Sequence, residues 1–280
     1  MKVLITGAGG QLGSALQVSL AAHEVTALTR AELDITNLEE VRAVAASLRP
    51  QVVINCAAYT NVDAAENDEA GAFKLNAEGP RNLAEATAEL EIPLVQVSTD
   101  YVFDGFGNRP YVESDPPNPL SVYGRSKLSG EQFVASLNPR HYIARTSWLY
   151  HHEPVNAKNF PKTMLAQAHK ESVKVVQDQQ GSPTYALHLA EAIARLIETG
   201  SYGVYHLAGS GQTTWFDLTR RLYHLFGVKT SVEPCTTQEF PRPAKRPAYS
   251  VLATIREPKI LLPSWEEGLE QFAKAMQSAS

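Results

Sequence analysis

Lys2-Val3-Leu4-Ile5-Thr6-Gly7-Ala8-Gly9-Gly10-Gln11-Leu12-Gly13 is the stretch that decides the fold. A short apolar run stops at Thr6-Gly7 and reads as a buried strand; Gln11 onward reads as a helix. Gly7, Gly10 and Gly13 have the spacing GxxGxxG. Without side chains, the strand can turn sharply, its backbone can approach a ligand, and the helix can pack on the sheet. The helix start then offers free N–H groups and the positive end of its dipole to phosphates. Glycine turns also merely connect elements. At the first strand–helix junction of a parallel α/β pattern, the turn points to a dinucleotide.

Working outward, short apolar runs alternate with helical patterns. Strands are expected at Glu24–Leu28, Val52–Cys56, Pro93–Val97 and His141–Arg145. Helices are expected at Gln11–Ala22, Asn37–Leu48 with Asn37 as cap, Gly79–Leu90 and Val122–Leu137. This order predicts an α/β fold, a doubly wound parallel sheet with helices on both faces and ligands at the C-terminal strand ends. Residues 1–150 are expected to form the nucleotide-binding domain. Residues 151–280 are expected to form mainly a smaller C-terminal substrate-binding lobe, with segments of about 172–208 returning to the sheet. Residues 151–158 read as a loop. Helices are expected at Phe160–His169, Leu187–Thr199, Thr214–Phe226 and about Ser264–Met276, and a strand at Val204–Leu207.

A formal net charge of −5 argues against a nucleic-acid partner, which needs a basic face. Cys56 and Cys235, the only two cysteines, form no disulfide framework or metal spacing. No run approaches a membrane span, and the N-terminal apolar run is too short for a secretory signal. A cytoplasmic protein acting on a soluble small molecule is expected.

Past the second strand, Arg30 suits a 2′-phosphate and favours NADPH over NADH, although a solvated loop arginine would look the same. NADH remains a second candidate. At the third strand end, Ala57, Ala58 and Tyr59 leave room for the cofactor. Tyr123-Gly124-Arg125-Ser126-Lys127 places a phenol and an ammonium on one helical face. The cation is expected to lower the tyrosine pKa. Thr99, at the end of the fourth strand, can hydrogen-bond a carbonyl and Tyr123. Together these predict a nicotinamide-dependent oxidoreductase in which Tyr123 protonates the alkoxide left by hydride addition.

Thr6–Gly13, Ser98-Thr99 and Tyr123/Lys127 resemble the motifs of the extended short-chain dehydrogenase/reductase family, a Rossmann-fold family. Ser98-Thr99-Asp100-Tyr101-Val102-Phe103-Asp104-Gly105, Arg145-Thr146-Ser147-Trp148, Gly181-Ser182-Pro183-Thr184 and Arg246-Pro247 look like its nucleotide-sugar 4-keto reductase branch. The resemblance implies reduction of dTDP-4-dehydro-L-rhamnose by NADPH to dTDP-L-rhamnose, the sugar nucleotide that supplies rhamnose for cell-surface polysaccharide. It also implies that Thr99, Tyr123 and Lys127 are catalytic. Cofactor residues would be Gly7, Gly10, Gln11, Leu12, Gly13, Arg30, Asp34, Ile35, Ala57, Ala58, Tyr59, Tyr123 and Lys127. Thr99, Asp100, Tyr101, Phe103, Trp148, Asn159 and Arg246 would serve the substrate. Arg246, in a basic proline-bearing stretch, is a candidate for the diphosphate; a solvated loop is the competing reading.

Some family members use acids, one of them early in the first helix, for a metal-bridged dimer. That helix here begins Gln11-Leu12-Gly13-Ser14-Ala15-Leu16, so no metal is expected and a homodimer stays open. The rivals are another 4-keto sugar-nucleotide reductase, an epimerase or dehydratase on the same scaffold, and a non-catalytic NADP-binding subunit. A dehydratase needs a second acid beside the threonine, but Tyr101 follows Asp100. A regulatory subunit could lose the tyrosine–lysine pair, which this chain keeps.

Overall fold

The computed structural model describes residues 1–154 and 158–278. Val155, Asn156 and Ala157, part of the expected 151–158 loop, lie outside the described residues. The first half runs β1 (Lys2–Thr6), α1 (Gln11–Ser19), β2 (Glu24–Leu28), α2 (Leu38–Leu48) and β3 (Val52–Asn55). Next come α3 (Val62–Ala65), α4 (Glu69–Phe73), a π-helical turn at Lys74–Glu78 and α5 (Gly79–Glu89). Then follow β4 (Leu94–Thr99), a 3-10 turn at Asp100–Val102, α6 (Val122–Leu137), β5 (His141–Thr146) and β6 (Leu149–Tyr150). The remainder comprises α7 (Phe160–Leu165), β7 (Ser172–Val176), β8 (Gln180–Gly181), β9 (Thr184–Tyr185), α8 (Ala186–Leu196), β10 (Gly203–His206) and β11 (Thr213–Thr214). α9 (Trp215–Leu225), β12 (Ser231–Cys235) and α10 (Trp265–Ser278) complete it.

Six strands form one parallel sheet in the order β10-β5-β4-β3-β1-β2. From β1 the chain moves outward to β2, then returns to β3 on the other side. That reversal opens a crevice beyond the C-terminal ends of β1 and β3, where ligands bind in this architecture. Successive side chains point to opposite faces of a strand, so a strand covered on both sides must be apolar throughout. Val3, Ile5, Val52 and Ile54 meet Leu12 and Leu16 of α1 and Leu189 and Ile193 of α8. Leu4, Val53, Leu94 and Ile143 meet Val41 of α2, Leu83 of α5 and Val134 of α6 on the other face. The Asn37 side chain accepts N–H bonds from Glu39 and Glu40, which sets the start of α2.

A second cluster lies in the C-terminal half, where Val173, Val175, Leu218, Leu222, Leu269 and Phe272 are buried together. Of the stretch expected to return to the main sheet from about 172 to 208, only Gly203–His206 joins it as a strand. Ser172–Val176 instead pairs in parallel with Ser231–Cys235. Pro234 discourages reading the latter as a strand, but a two-stranded ribbon has free edges that tolerate a missing N–H.

Candidate active site

A cavity of about 780 Å³ follows the crevice. Its lining runs from the glycine turn past Arg30, Asp34 and Ile35, across Ala57 and Ala58, to Thr99, Tyr123 and Trp148. That volume suits a sizeable organic ligand.

At one end, Gly7 has φ +71°, and a Cβ there would lie 2.6 Å from the Ala57 amide nitrogen. A Cβ on Gly13 would crowd the Gly7 carbonyl oxygen. Both positions therefore require glycine. α1 starts from Gly10 with no side-chain cap, whereas Asn37 and Ser121 cap α2 and α6. The first N–H groups of α1 thus remain available to an anion. This cradle fits a dinucleotide pyrophosphate. Gln11 and Leu12 follow it and line the cavity, as does Arg30 at the end of β2. Glu32 accepts from the Thr29 N–H and hydroxyl at 2.8 Å, which shapes the turn that carries Arg30. Asp34 accepts from the Thr36 N–H and hydroxyl; these bonds, helped by Arg30, hold its carboxyl below the ordinary range despite partial burial.

At the other end, Ser121 accepts from the Gly124 N–H at 3.1 Å, which starts α6 and places Tyr123 in its first turn. One turn later, Lys127 is buried and donates from Nζ to the Val97 carbonyl at 2.7 Å. Burial lowers its pKa to about 8, against the opposing influence of Glu131 and Cys56. The expectation that Lys127 lowers the Tyr123 pKa is corrected. Burial pushes the phenol up to about 12, opposed by a hydrogen bond with Thr99 and reinforced by the Asp100 charge. A phenol in that environment is neutral at physiological pH, the form that donates a proton. Thr99 Oγ1 accepts from the Tyr101 N–H at 3.2 Å and lies 3.0 Å from Asp100 Oδ1. The Tyr101 ring meets Tyr123 edge-on, with centroids 5.8 Å apart.

The model described as RmlD substrate binding domain matches residues 1–278. The chain belongs to this family. A Streptomyces griseus relative named dTDP-4-dehydrorhamnose reductase is 44% identical, covering 89% of this chain and 84% of that one. A Streptomyces antibioticus relative, named a probable dTDP-4,6-dihydroxy-2-methyloxan-3-one 4-ketoreductase, is 45% identical over 90% of this chain and 86% of its own. The Bacillus anthracis dTDP-4-dehydrorhamnose reductase, solved in complex with NADP, has a TM-score of 0.94 and 42% identity, covering 98% of this chain and 99% of that one.

In this RmlD-family chain, the other residues singled out in the sequence divide sharply. Gly7, Gly10–Gly13, Arg30, Asp34, Ile35, Ala57, Ala58, Thr99–Tyr101, Tyr123, Lys127, Trp148 and Asn159 all line the cavity. Phe103 does not: it is buried, stacked on Tyr111 at 4.3 Å between centroids. The Tyr59 backbone is pinned by Asn76, and its ring packs with Ala65, Ala72 and Val122, off the cavity. Arg246 is not among the lining residues and is paired with a carboxylate instead. Its two terminal nitrogens each lie 3.0 Å from an oxygen of Asp63 in α3, and Arg242 binds the same carboxylate. Those bonds take the Asp63 carboxyl down to about 2 against its partial burial.

Trp148 adopts φ +47° and stacks on Trp215, with centroids 3.5 Å apart and planes 6° from parallel. A Cβ on Gly181 would collide with the Trp148 ring, so that glycine admits the indole. Trp215 also lines the cavity and had no signal of its own in the sequence; its position just after the Thr214 cap of α9 was the available clue. Lys158 and Ser147 line the cavity as well. Among the described residues, no group of three or more His, Cys, Asp or Glu side chains is placed to hold a metal, and no helix is long and apolar enough to cross a membrane.

Proposed function

We propose that this chain uses NADPH to reduce the 4-keto group of dTDP-4-dehydro-L-rhamnose, giving dTDP-L-rhamnose. One observation carries the reading: Thr99, Tyr123 and Lys127 converge in a cavity continuous with an uncapped, glycine-cradled helix start. Bound NADPH supplies the hydride. The chain supplies everything else. Gly7, Gly10–Gly13, Ala57 and Ala58 bind the dinucleotide, Arg30 meets its 2′-phosphate, and Lys127 holds the nicotinamide ribose. Thr99 steadies the Tyr123 hydroxyl beside the carbonyl, and Tyr123 polarises O4 and delivers its proton to it. Asp100, Tyr101, Trp148 and Asn159 enclose the sugar nucleotide, and the C-terminal cluster forms the lobe that presents Trp215. The protein is read as cytoplasmic, with its assembly between monomer and homodimer.

The Streptomyces antibioticus relative favours one second reading, a 4-keto reductase for a different sugar nucleotide. Steady-state rates with a panel of 4-keto sugar nucleotides separate the two. The highest kcat/KM is expected with dTDP-4-dehydro-L-rhamnose; a higher value with another 4-keto sugar would move the assignment to it.

Arg30→Ala is expected to raise KM for NADPH by roughly 10–100-fold, the worth of a charge-assisted hydrogen bond, while leaving KM for NADH nearly unchanged. Parallel titrations with both cofactors check this. Equal effects on the two would remove Arg30 from the 2′-phosphate.

Arg246→Ala is expected to act through the clasp with Asp63. It frees α3 and the Tyr101 ring, raising KM for the sugar nucleotide with little change in KM for NADPH. If Asp63→Asn leaves the substrate KM unchanged while Arg246→Ala raises it, Arg246 contacts substrate directly.

A further inference from the structure

Asp100 closes β4 against the cavity and is 2% exposed. Oδ1 meets the Thr99 hydroxyl at 3.0 Å, while Oδ2, also buried, makes no well-formed hydrogen bond among the described residues; the Ser250 hydroxyl acts on the carboxyl without forming one. A charged carboxylate left half unpaired in such a place is expensive; a protonated one is not. We propose that Asp100 is the proton reservoir that refills Tyr123 through the Thr99 hydroxyl when the ketone is reduced. This rests on the proposed reductase reading.

The hydroxyl inventory supports the path. A threonine hydroxyl donates one hydrogen bond and accepts two. Thr99 Oγ1 already accepts from the Tyr101 N–H. If Asp100 is protonated, its O–H fills the second acceptor position of Thr99. Thr99 then donates to Tyr123, and the Tyr123 O–H is free for O4. If Asp100 is ionised, Thr99 must donate to it, and the Tyr123 proton turns toward Thr99 and away from substrate. Asp100 protonation therefore sets the direction of the chain.

The step balances. The hydride brings the electron pair of the new C4–H bond. The Tyr123 O–H bond breaks as O4–H forms, Thr99 passes its proton to the Tyr123 oxygen, and Asp100 passes its proton to Thr99. Asp100 ends as a carboxylate and is reprotonated by the one H⁺ that the net reduction draws from bulk solvent.

The surroundings match this duty. Burial pushes the carboxyl up to about 7, against the Ser250 hydroxyl and the Thr99 hydrogen bond, which favour the charged form. The titratable neighbours are Tyr101, in contact with Arg246, and Tyr123; both feel the Asp100 charge. Lys127 shares the cavity, with Glu131 and Cys56 behind it. Tyr101 and Tyr123 are neutral where Asp100 titrates, so they do not obscure it.

The test is kcat against pH at saturating NADPH and dTDP-4-dehydro-L-rhamnose. In the wild type, kcat is expected to fall as pH rises through about 7, where Asp100 loses its proton. Ser250→Ala removes a hydroxyl that favours the carboxylate, so this fall should move to higher pH. Lys127 titrates on the same side but is not moved by Ser250→Ala. Asp100→Asn cannot release a proton and should lose the fall near neutrality, with kcat reduced toward the lower end of the roughly 10²–10⁴ of general acid catalysis. Cofactor fluorescence on NADPH binding verifies that each variant is folded. An unchanged fall in Asp100→Asn, or one that Ser250→Ala leaves in place, overturns the relay. Tyr123→Phe run alongside separates the two levels: near-normal turnover there overturns the reductase reading itself, whereas a dead Tyr123→Phe with an unchanged Asp100→Asn profile overturns the relay alone.

Discussion

Tyr123→Phe is expected to lower kcat by roughly 10²–10⁴, the contribution of a positioned general acid, while the affinity for NADPH stays near that of the wild type. The substitution keeps the ring that packs edge-on against Tyr101 and deletes only the oxygen. The lost atom is the one proposed to give its proton to O4. Because burial holds the phenol at about 12, it carries its proton throughout the physiological range. The Tyr123 ionisation itself should therefore leave no inflection near neutrality; any inflection there belongs to Asp100 or Lys127. Fluorescence titration with NADPH and steady-state turnover check the two halves separately. A variant that binds cofactor and turns over normally would remove Tyr123 from the chemistry.

The second large effect is on stability. Arg145 at the end of β5 binds Glu131 of α6 through three contacts of 2.7 to 3.2 Å, with both side chains about 5% exposed or less. The guanidinium also lies 5.3 Å from the centre of the Phe103 ring and 3.4 Å from His206. Arg145→Met leaves the Glu131 carboxylate buried without its partner, a loss of about 3–5 kcal/mol. For a chain of this size the Tm should fall on the order of 10 °C. Removing both charges in Arg145→Met/Glu131→Met should recover most of that loss, since the desolvation cost disappears with them. Thermal unfolding of the two variants measures the difference. A double variant no more stable than the single one would mean that the ion pair is not the cause.

The sheet was legible because its signal is local. Val3 and Ile5 face α1 and α8 while Leu4 faces α2 and α5, so each buried strand is an unbroken apolar run whatever its neighbours do. The glycine turn was legible for a related reason: only glycine fits Gly7 and Gly13, so backbone geometry is written directly in residue type. The cavity lining at Gly7, Ala57, Ala58 and Thr99 followed from strand ends, which a doubly wound sheet gathers on one side, whereas Asp100 and Trp148 came only with the family resemblance.

What escaped depends on partners distant in sequence. Asp63 and Arg246 are 183 residues apart, and nothing near either residue signals that the carboxylate already occupies the guanidinium. Phe103 shares a motif with Thr99 and Asp100, but the 3-10 turn at Asp100–Val102 intervenes and the ring stacks on Tyr111, away from the lining. Ser172–Val176 finds its partner strand some sixty residues later, across a proline-bearing segment that argues against pairing. The direction of the Tyr123 shift was misjudged because helical spacing shows that Lys127 is near but not that the phenol is buried, and burial is what raises it.

The most direct test of the central claim is a turnover with NADPH deuterated at the transferring C4 position and dTDP-4-dehydro-L-rhamnose, with the product analysed by NMR and mass spectrometry. The expected product is dTDP-L-rhamnose carrying one deuterium on sugar C4, formed in equal amount to the NADPH oxidised. Bound NADPH that remains unoxidised with this substrate, or deuterium found anywhere but C4, would contradict it.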